Sequence, residues 1–266
     1  MEPGAKSEGR PIWLVLLVGL SFVMAVSGVS LPFILADQVF LTWPTEGYVS
    51  CQAGEATLIG FYLYDYGDWL WFRASHPPLA IKLDDPDLHV VQFDIRPVAQ
   101  GVFRQTKFVE LMVLVSSPGK HTIRSITIET VQKKRVIELG PVVLDATDAV
   151  DPHLIGAFTD TVTGTIVSGT REQNLNFFVE SVSDVGVQVG VSGEKSPPFL
   201  TLVPWTPADL GPRETVFTGL AFRLADPQPR DRAETRMYLW RPWLVVRTGD
   251  SQYRVPGPLI QLILPG

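Results

Sequence analysis

A run of aromatic side chains between residues 61 and 72 is the part of the sequence best suited to binding. It reads Phe61-Tyr62-Leu63-Tyr64-Asp65-Tyr66-Gly67-Asp68-Trp69-Leu70-Trp71-Phe72. On a strand, alternate residues face opposite sides, so tyrosines 62, 64 and 66 face away from Phe61 and Leu63. Tyr and Trp supply a large contact area with few rotatable bonds. This aromatic strip is therefore a candidate site for a glycan or a protein partner, but packing against the interdomain surface or the membrane is the favoured interpretation. The candidate binding residues are Tyr62, Tyr64, Tyr66, Trp69 and Trp71.

Three carboxylates at three-residue intervals form a second candidate, a metal site. Asp145, Asp148 and Asp151 lie near the middle of the chain. Calcium takes six to eight oxygen ligands, so a junction between two β-domains that carries these residues is a candidate calcium site. A solvated linker is the favoured interpretation, because Asp also favours turns.

Other chemistry finds little support in the sequence. The segment 84–89, Asp-Asp-Pro-Asp-Leu-His, offers metal ligands, but a proline-containing loop between strands is the simpler explanation. The histidines, His76, His89, His121 and His153, have no i, i+4 pair. The sequence contains neither Gly-x-Ser-x-Gly nor a glycine-rich phosphate loop. We predict a non-enzymatic protein without a cofactor; a hydrolase whose two carboxylates meet only in space is the alternative.

The single cysteine, Cys51, has no partner for a disulfide within the chain. The fold must therefore depend on its hydrophobic core even in an oxidising compartment. No basic neighbour in the sequence favours the thiolate. We predict a buried, unreactive thiol.

The elements that carry these residues are strands. Apolar residues alternate or form short runs rich in Val, Ile, Thr and aromatics, and 22 Gly and 22 Pro punctuate the chain. This pattern is typical of β-structure and leaves no place for the helices of a βαβ design. The predicted strands are 57–64, 90–95, 108–115, 122–130, 142–144, 176–182, 185–191, 215–224, 236–246 and 259–264.

An internal repeat organises the predicted strands. Residues 123–128, 135–136 and 140–143 match residues 240–245, 254–255 and 257–260 in order and spacing, and both sets include a Gly-Pro pair. Earlier, 58–72 followed by Pro77-Pro78 resembles 175–191 followed by Pro197-Pro198. A period near 117 to 119 residues predicts two copies of one β-domain, at residues 37–148 and 149–266.

The segment Ser117-Pro118-Gly119-Lys120-His121-Thr122-Ile123 resembles the turn and late strand of bacterial extracytoplasmic immunoglobulin-like modules. The resemblance is at the level of the fold, and the Cys and Trp framework of antibody domains is missing. It implies an all-β chain of two tandem antiparallel sandwiches. Modules of this class usually act as spacers, adhesion units or partner-binding domains, but function does not follow from the fold alone.

The N-terminal segment 12–36 predicts a membrane connection. Its 25 residues carry no charge, and as a helix they would reach roughly 37 Å against a hydrocarbon core of about 30 Å. Lys6 and Arg10 precede it and no Lys or Arg follows until Arg73, so residues 1–11 are predicted to be cytoplasmic and the remainder extracytoplasmic. We favour a retained signal-anchor, with a cleaved signal peptide and a secreted product as the alternative.

The net charge limits the classes of partner that the chain can bind. The net charge of −6 over 266 residues supplies no basic surface for nucleic acid. The sequence thus predicts a membrane-anchored interaction or structural module, a subunit of a cell-envelope assembly with an unknown protein partner. A carbohydrate-binding module using the aromatic strip and an envelope hydrolase are the alternatives.

Overall fold

The computed structural model describes residues 19–23, 40–42, 44–65, 80–100, 105–129, 134–148, 155–158, 161–165, 173–192, 195–203, 207–224 and 236–264. Within them the chain is all-β apart from a short helix at residues 19–23. No helix in this part of the chain is long and apolar enough to cross a membrane. Most of the predicted segment 12–36 lies outside the described residues.

The strands of the first half, up to residue 148, are β1 (Phe40–Thr42), β2 (Thr45–Gln52), β3 (Ala56–Asp65), β4 (Ala80–Leu83), β5 (Leu88–Gln100), β6 (Gln105–Val115), β7 (Gly119–Glu129) and β8 (Lys134–Thr147). Those of the second half are β9 (Ile155–Phe158), β10 (Thr161–Thr165), β11 (Gln173–Ser181), β12 (Val187–Val191), β13 (Leu200–Leu202), β14 (Ala208–Leu210), β15 (Thr215–Leu224), β16 (Arg236–Arg241), β17 (Trp243–Thr248), β18 (Ser251–Pro256) and β19 (Leu259–Leu264).

The first half folds as two sheets that face each other. One sheet has the order β1-β3-β6-β5, and the other contains β2-β8-β7-β4. When β1 and β2 are counted together as the first strand, the first of these sheets contains the first, second, fifth and fourth strands. This is the order of an immunoglobulin-like sandwich. Phe61, Leu63 and Leu111 are among the side chains that bury their inner faces in the first core.

The second half repeats this order. Its four-stranded sheet runs β13-β15-β11-β9, and the facing strands run β14-β12-β17-β18. The parallel pair β10 and β19 repeats the parallel pair β2 and β8 of the first half. The strand order is therefore similar in the two halves, and two tandem copies of one domain stay a prediction.

Strands of both halves join in one seven-stranded sheet, β10-β19-β16-β2-β8-β7-β4. The joint is the parallel pair β16 and β2, in which Leu239 aligns with Gly47. Successive side chains of a strand point to opposite faces: Leu239 enters the first core, whereas Trp240 and Tyr48 enter the second. The predicted division at residues 148 and 149 stays a prediction, since both cores draw on both halves.

The prediction of one strand at 236–246 was wrong in one respect. Pro242 interrupts it, and β16 and β17 belong to different sheets. Proline lacks the N–H that a continuous ladder needs, and the chain bends there while Gly257 N donates to the Pro242 carbonyl oxygen at 2.8 Å. Trp240 and Trp243, on either side of this proline, are both buried.

Candidate functional site

Tyr62 lies on the outer face of the first four-stranded sheet. Phe61 and Leu63 lie on the opposite face, as alternation predicted, and both are buried. Tyr62 aligns with Phe108 of β6, and the two ring centroids are 5.0 Å apart at an interplanar angle of 54°. The ring of Phe108 lies over Gly60, where an added Cβ would come within 2.5 Å of Phe108 Cζ.

Charged side chains surround this aromatic pair. The Arg96 guanidinium carbon lies 5.8 Å from the centre of the Phe108 ring, a cation–π distance. Arg96 also forms ion pairs with Asp94, at 3.2 Å, and with Glu110. The Tyr62–Phe108 pair thus packs within its own sheet.

The second half carries a corresponding pair in a more open setting. Phe178 of β11 aligns with Phe217 of β15, and their ring centroids are 4.8 Å apart at 50°. Phe178 is 52% exposed and Phe217 is 58% exposed. Each half therefore presents a cross-strand aromatic pair on the outer face of its four-stranded sheet, and the second pair is open to solvent.

Small and polar residues flank the second pair. Asn176 aligns with Gly219, and Asn174 aligns with Ala221, on the same face as Phe178. Both asparagines are exposed, and the sequence contains no others. We call this surface the outer aromatic face; it comprises Phe178, Phe217, Asn174, Asn176, Gly219 and Ala221. It combines an apolar centre with amide hydrogen-bonding groups, the composition of many protein-binding surfaces.

The remaining predicted binding residues are described only in part. Tyr64 belongs to β3 and aligns with Thr106, but its side chain is outside the described structure. Tyr66, Trp69 and Trp71 lie outside the described residues. Binding at these positions stays a prediction.

Asp145 lies where the two halves meet. It accepts a hydrogen bond from the Tyr48 hydroxyl, and that hydroxyl accepts one from Trp243 Nε1 at 3.2 Å. Asp148 is exposed at the end of β8, and Asp151 is outside the described residues. The calcium site predicted at these three residues stays a prediction.

Two further hydrogen bonds cross the joint. Arg241 of β16 donates from Nη1 to Thr57 Oγ1 of β3 at 2.7 Å. Ser50 Oγ donates to the Pro242 carbonyl oxygen at 3.0 Å. Together with the Tyr48 contacts they fix the two halves to each other. Because each bond depends on a defined geometry, the joint restrains rotation between the halves.

Cys51 is buried in the first core, as predicted. Burial raises the pKa of its thiol to about 12; the charge of Arg241 lowers it and that of Asp145 raises it further. A thiol with so high a pKa is a poor nucleophile at neutral pH.

One group of three potential metal ligands comes together in the part of the chain that the structure describes. Asp85 and Asp87, from the turn between β4 and β5, meet His121 at the start of β7. Their ligand atoms lie within 4.8 Å of one another. The sequence showed that the acidic segment 84–89 offers metal ligands, but the histidine that lies beside its aspartates is His121 and not His89.

Sequence reasoning missed the outer aromatic face. The signal was available in part, because alternation about buried Phe177 and Val179 places Phe178 on the outside. Its partner Phe217 lies on another strand, and only the register of β11 and β15 shows that they meet.

Comparison with protein-family models finds none that matches this chain. No curated protein matches it either. These comparisons therefore assign the chain to no family.

Solved structures with similar arrangements include a chimeric titin Z1Z2-Z1Z2 tandem, 10% identical over 86% of this chain and 99% of that chain, with a TM-score of 0.21. CBD12 from CALX1.2 is 11% identical over 80% and 82%, with a TM-score of 0.22. The C-terminal domain of the Streptococcus agalactiae AgI/II polypeptide BspA is 7% identical over 80% and 95%, with a TM-score of 0.16. With TM-scores of this size, the immunoglobulin-like description rests on the strand order.

Proposed function

We propose that this chain is an interaction module in which two tandem immunoglobulin-like sandwiches share one sheet and dock a protein partner through the outer aromatic face. The observation that carries the proposal is the exposed pair Phe178 and Phe217, 4.8 Å apart on a regular sheet. Exposed apolar area costs roughly 25 cal/mol per Å². Clustered exposure of this kind is typical of a binding surface.

The distribution of exposed hydrophobic residues supports this assignment. In the described part of the second half, large exposed hydrophobic side chains lie on β11, on β15 or in the turn after β11. They are Phe178, Val182, Val185 and Phe217. A partner with an apolar centre and hydrogen-bonding groups at its rim complements this surface.

The geometry favours a protein over a glycan. The rings of Phe178 and Phe217 are inclined by 50° to each other, so they do not form one flat platform for a sugar ring. Tyr62, the candidate binding residue of the aromatic strip whose side chain the structure describes, packs against Phe108. Glycan binding and spatially assembled hydrolase carboxylates remain alternatives to the proposal.

The joint between the halves gives the proposed module its rigidity. The β2–β16 pair and the contacts of Tyr48 and Arg241 hold the second sandwich in one orientation relative to the first. A partner bound at the outer aromatic face is thereby held at a fixed position relative to the first sandwich. This arrangement suits a structural subunit of a larger assembly.

We further propose that residues 12–36 retain the module on the outer side of a membrane. The support is the sequence, with Lys6 and Arg10 before an uncharged segment of 25 residues. The mass of the mature protein from native membranes tests retention. Retention predicts a protein that still contains residues 12–36, and a chain that begins after this segment would contradict it.

The docking proposal is tested by a double substitution, Phe178→Ser with Phe217→Ser, in the full chain. The control is Val91→Ser with Val98→Ser on β5, whose side chains are 53% and 55% exposed. Solubilised membranes are separated by native electrophoresis, and circular dichroism verifies folding. We expect the parent and the valine variant to migrate as part of a larger assembly and the phenylalanine variant to migrate at a smaller size. An unchanged assembly size for the phenylalanine variant would contradict the proposal.

A further inference from the structure

The turn between β4 and β5 is held against the start of β7 by a defined set of contacts. Asp85 Oδ1 accepts a hydrogen bond from the Asp87 backbone N–H at 3.0 Å. The other carboxylate oxygen of Asp85, Oδ2, lies 3.4 Å from His121 Nδ1. The His121 residue is only 6% exposed. The position of Asp85 Oδ2 is thus fixed opposite a buried imidazole nitrogen.

The tautomer of His121 follows from its second nitrogen. Nε2 lies 2.9 Å from the Ser117 carbonyl oxygen, and a carbonyl oxygen only accepts hydrogen bonds, so we assign the proton to Nε2. With that proton on Nε2, Nδ1 offers a lone pair to an ion. The carboxylate of Asp85 that faces it also offers lone pairs. A metal ion between these two atoms would accept an electron pair from each.

The distance between the two atoms suits two ligands of one metal ion. A direct N–H···O hydrogen bond is usually about 2.7–3.2 Å long, and the observed separation is 3.4 Å. Two ligands about 2.1 Å from one tetrahedral metal ion lie roughly 3.4 Å apart. The bond from Nε2 to a backbone carbonyl is the usual second contact of a metal-binding histidine.

We propose that Asp85, Asp87 and His121 bind a divalent transition-metal ion of the zinc type. Imidazole suits zinc, whereas calcium and magnesium prefer oxygen ligands alone. Asp87 is exposed, so the fourth position faces solvent. The ion joins the β4–β5 turn to β7 and thereby stabilises one end of the first sandwich.

The test uses the full chain in detergent, stripped with a chelator and titrated calorimetrically with zinc chloride or calcium chloride. Asp85→Asn and Asp87→Asn remove ligands, and Asp94→Asn on β5 is the control with the same change of charge. We expect one zinc per chain in the parent and in the control. Affinity in the two ligand variants should fall by at least about 10-fold, a loss seen even for outer-shell partners.

Thermal unfolding supplies a second readout, because a ligand that binds the folded state raises its stability. Zinc should raise the unfolding temperature of the parent and of Asp94→Asn but not of Asp87→Asn. Asp87 is exposed, so this variant tests the site even if Asp85→Asn does not fold. Three results would overturn the proposal: no zinc uptake by the parent, unchanged uptake by Asp87→Asn, or uptake of calcium without zinc.

Discussion

Trp243 Nε1 donates a hydrogen bond to the hydroxyl of Tyr48 at 3.2 Å, across a separation of 195 residues in the sequence. The same hydroxyl donates to the carboxylate of Asp145. One phenol therefore connects β17 of the second half to β2 and β8 of the first. Tyr48 and Trp243 are both buried. Losing this hydrogen bond therefore costs more free energy than it would at the surface, where water could replace the lost partner.

Tyr48→Phe should lower the free energy of unfolding by about 1–3 kcal/mol. The substitution removes the acceptor for Trp243 and the donor to Asp145 while retaining the ring, and loss of a buried partner carries a cost of this size. Guanidinium denaturation measures the change. Tyr253→Phe on β18, where the side chain is half-buried, is the control and should change stability by less than about 0.5 kcal/mol. Equal effects of the two substitutions would contradict the assigned role of Tyr48.

Gly47→Ala should disrupt the β2–β16 joint. An added Cβ would overlap the Leu239 carbonyl oxygen and lie 2.8 Å from Leu239 Cβ. The overlapping atoms belong to the backbone and Cβ of Leu239, which cannot rotate away, so we expect a loss near 3 kcal/mol, about the upper end for overpacking. Gly190→Ala on β12 is the control, because its nearest atom would be 3.9 Å away. Denaturation curves that coincide for the two variants would show that the joint is looser than described.

Cys51 should make stability fall as the pH rises from about 9 towards 12. The thiol is protonated in the folded state up to a pKa of about 12, against 9.0 for the ordinary group. Within that window the unfolded chain binds fewer protons, and folding loses stability as pH increases. Tyr238, whose pKa burial raises from 10.0 to about 12 with a further contribution from Glu46, acts in the same direction.

Urea denaturation of the parent and of Cys51→Ala at pH 8 and pH 10.5 isolates the cysteine contribution. The alanine variant should lose less stability between the two pH values than the parent. Cys51→Val, which fills more of the cavity, serves as a packing control and should show the same reduced pH dependence. If the parent and both variants lose the same stability between pH 8 and pH 10.5, the assignment of a buried, protonated thiol is contradicted.

Local patterning predicted much of the sandwich. The strand expected at 215–224 coincides with β15, and that at 259–264 coincides with β19. In these segments apolar residues alternate or run together, and the backbone has little alternative to a sheet. The placement of Phe61 and Leu63 on the face opposite Tyr62 followed from the alternation of side chains.

The joint could not be predicted in this way. Strand β2, Thr45–Gln52, has one face in each core and carries Gly47 and Ser50 among its buried residues, so no two-residue alternation marks it. Its partners β8 and β16 lie far away in sequence. The Asp85–His121 contact and the Phe178–Phe217 pair could not be predicted for the same reason. Each depends on the register or packing of strands that are separate in the sequence.

Photocrosslinking from the outer aromatic face tests the central claim most directly. Benzoylphenylalanine replaces Asn176, beside the aromatic pair, or exposed Gln252 on β18 as the control, and native membranes are irradiated. The account predicts a discrete protein adduct from position 176, none from position 252, and loss of the adduct when Phe178→Ser and Phe217→Ser are added. Equal products from both positions, or an adduct that survives the double substitution, would contradict docking at this face.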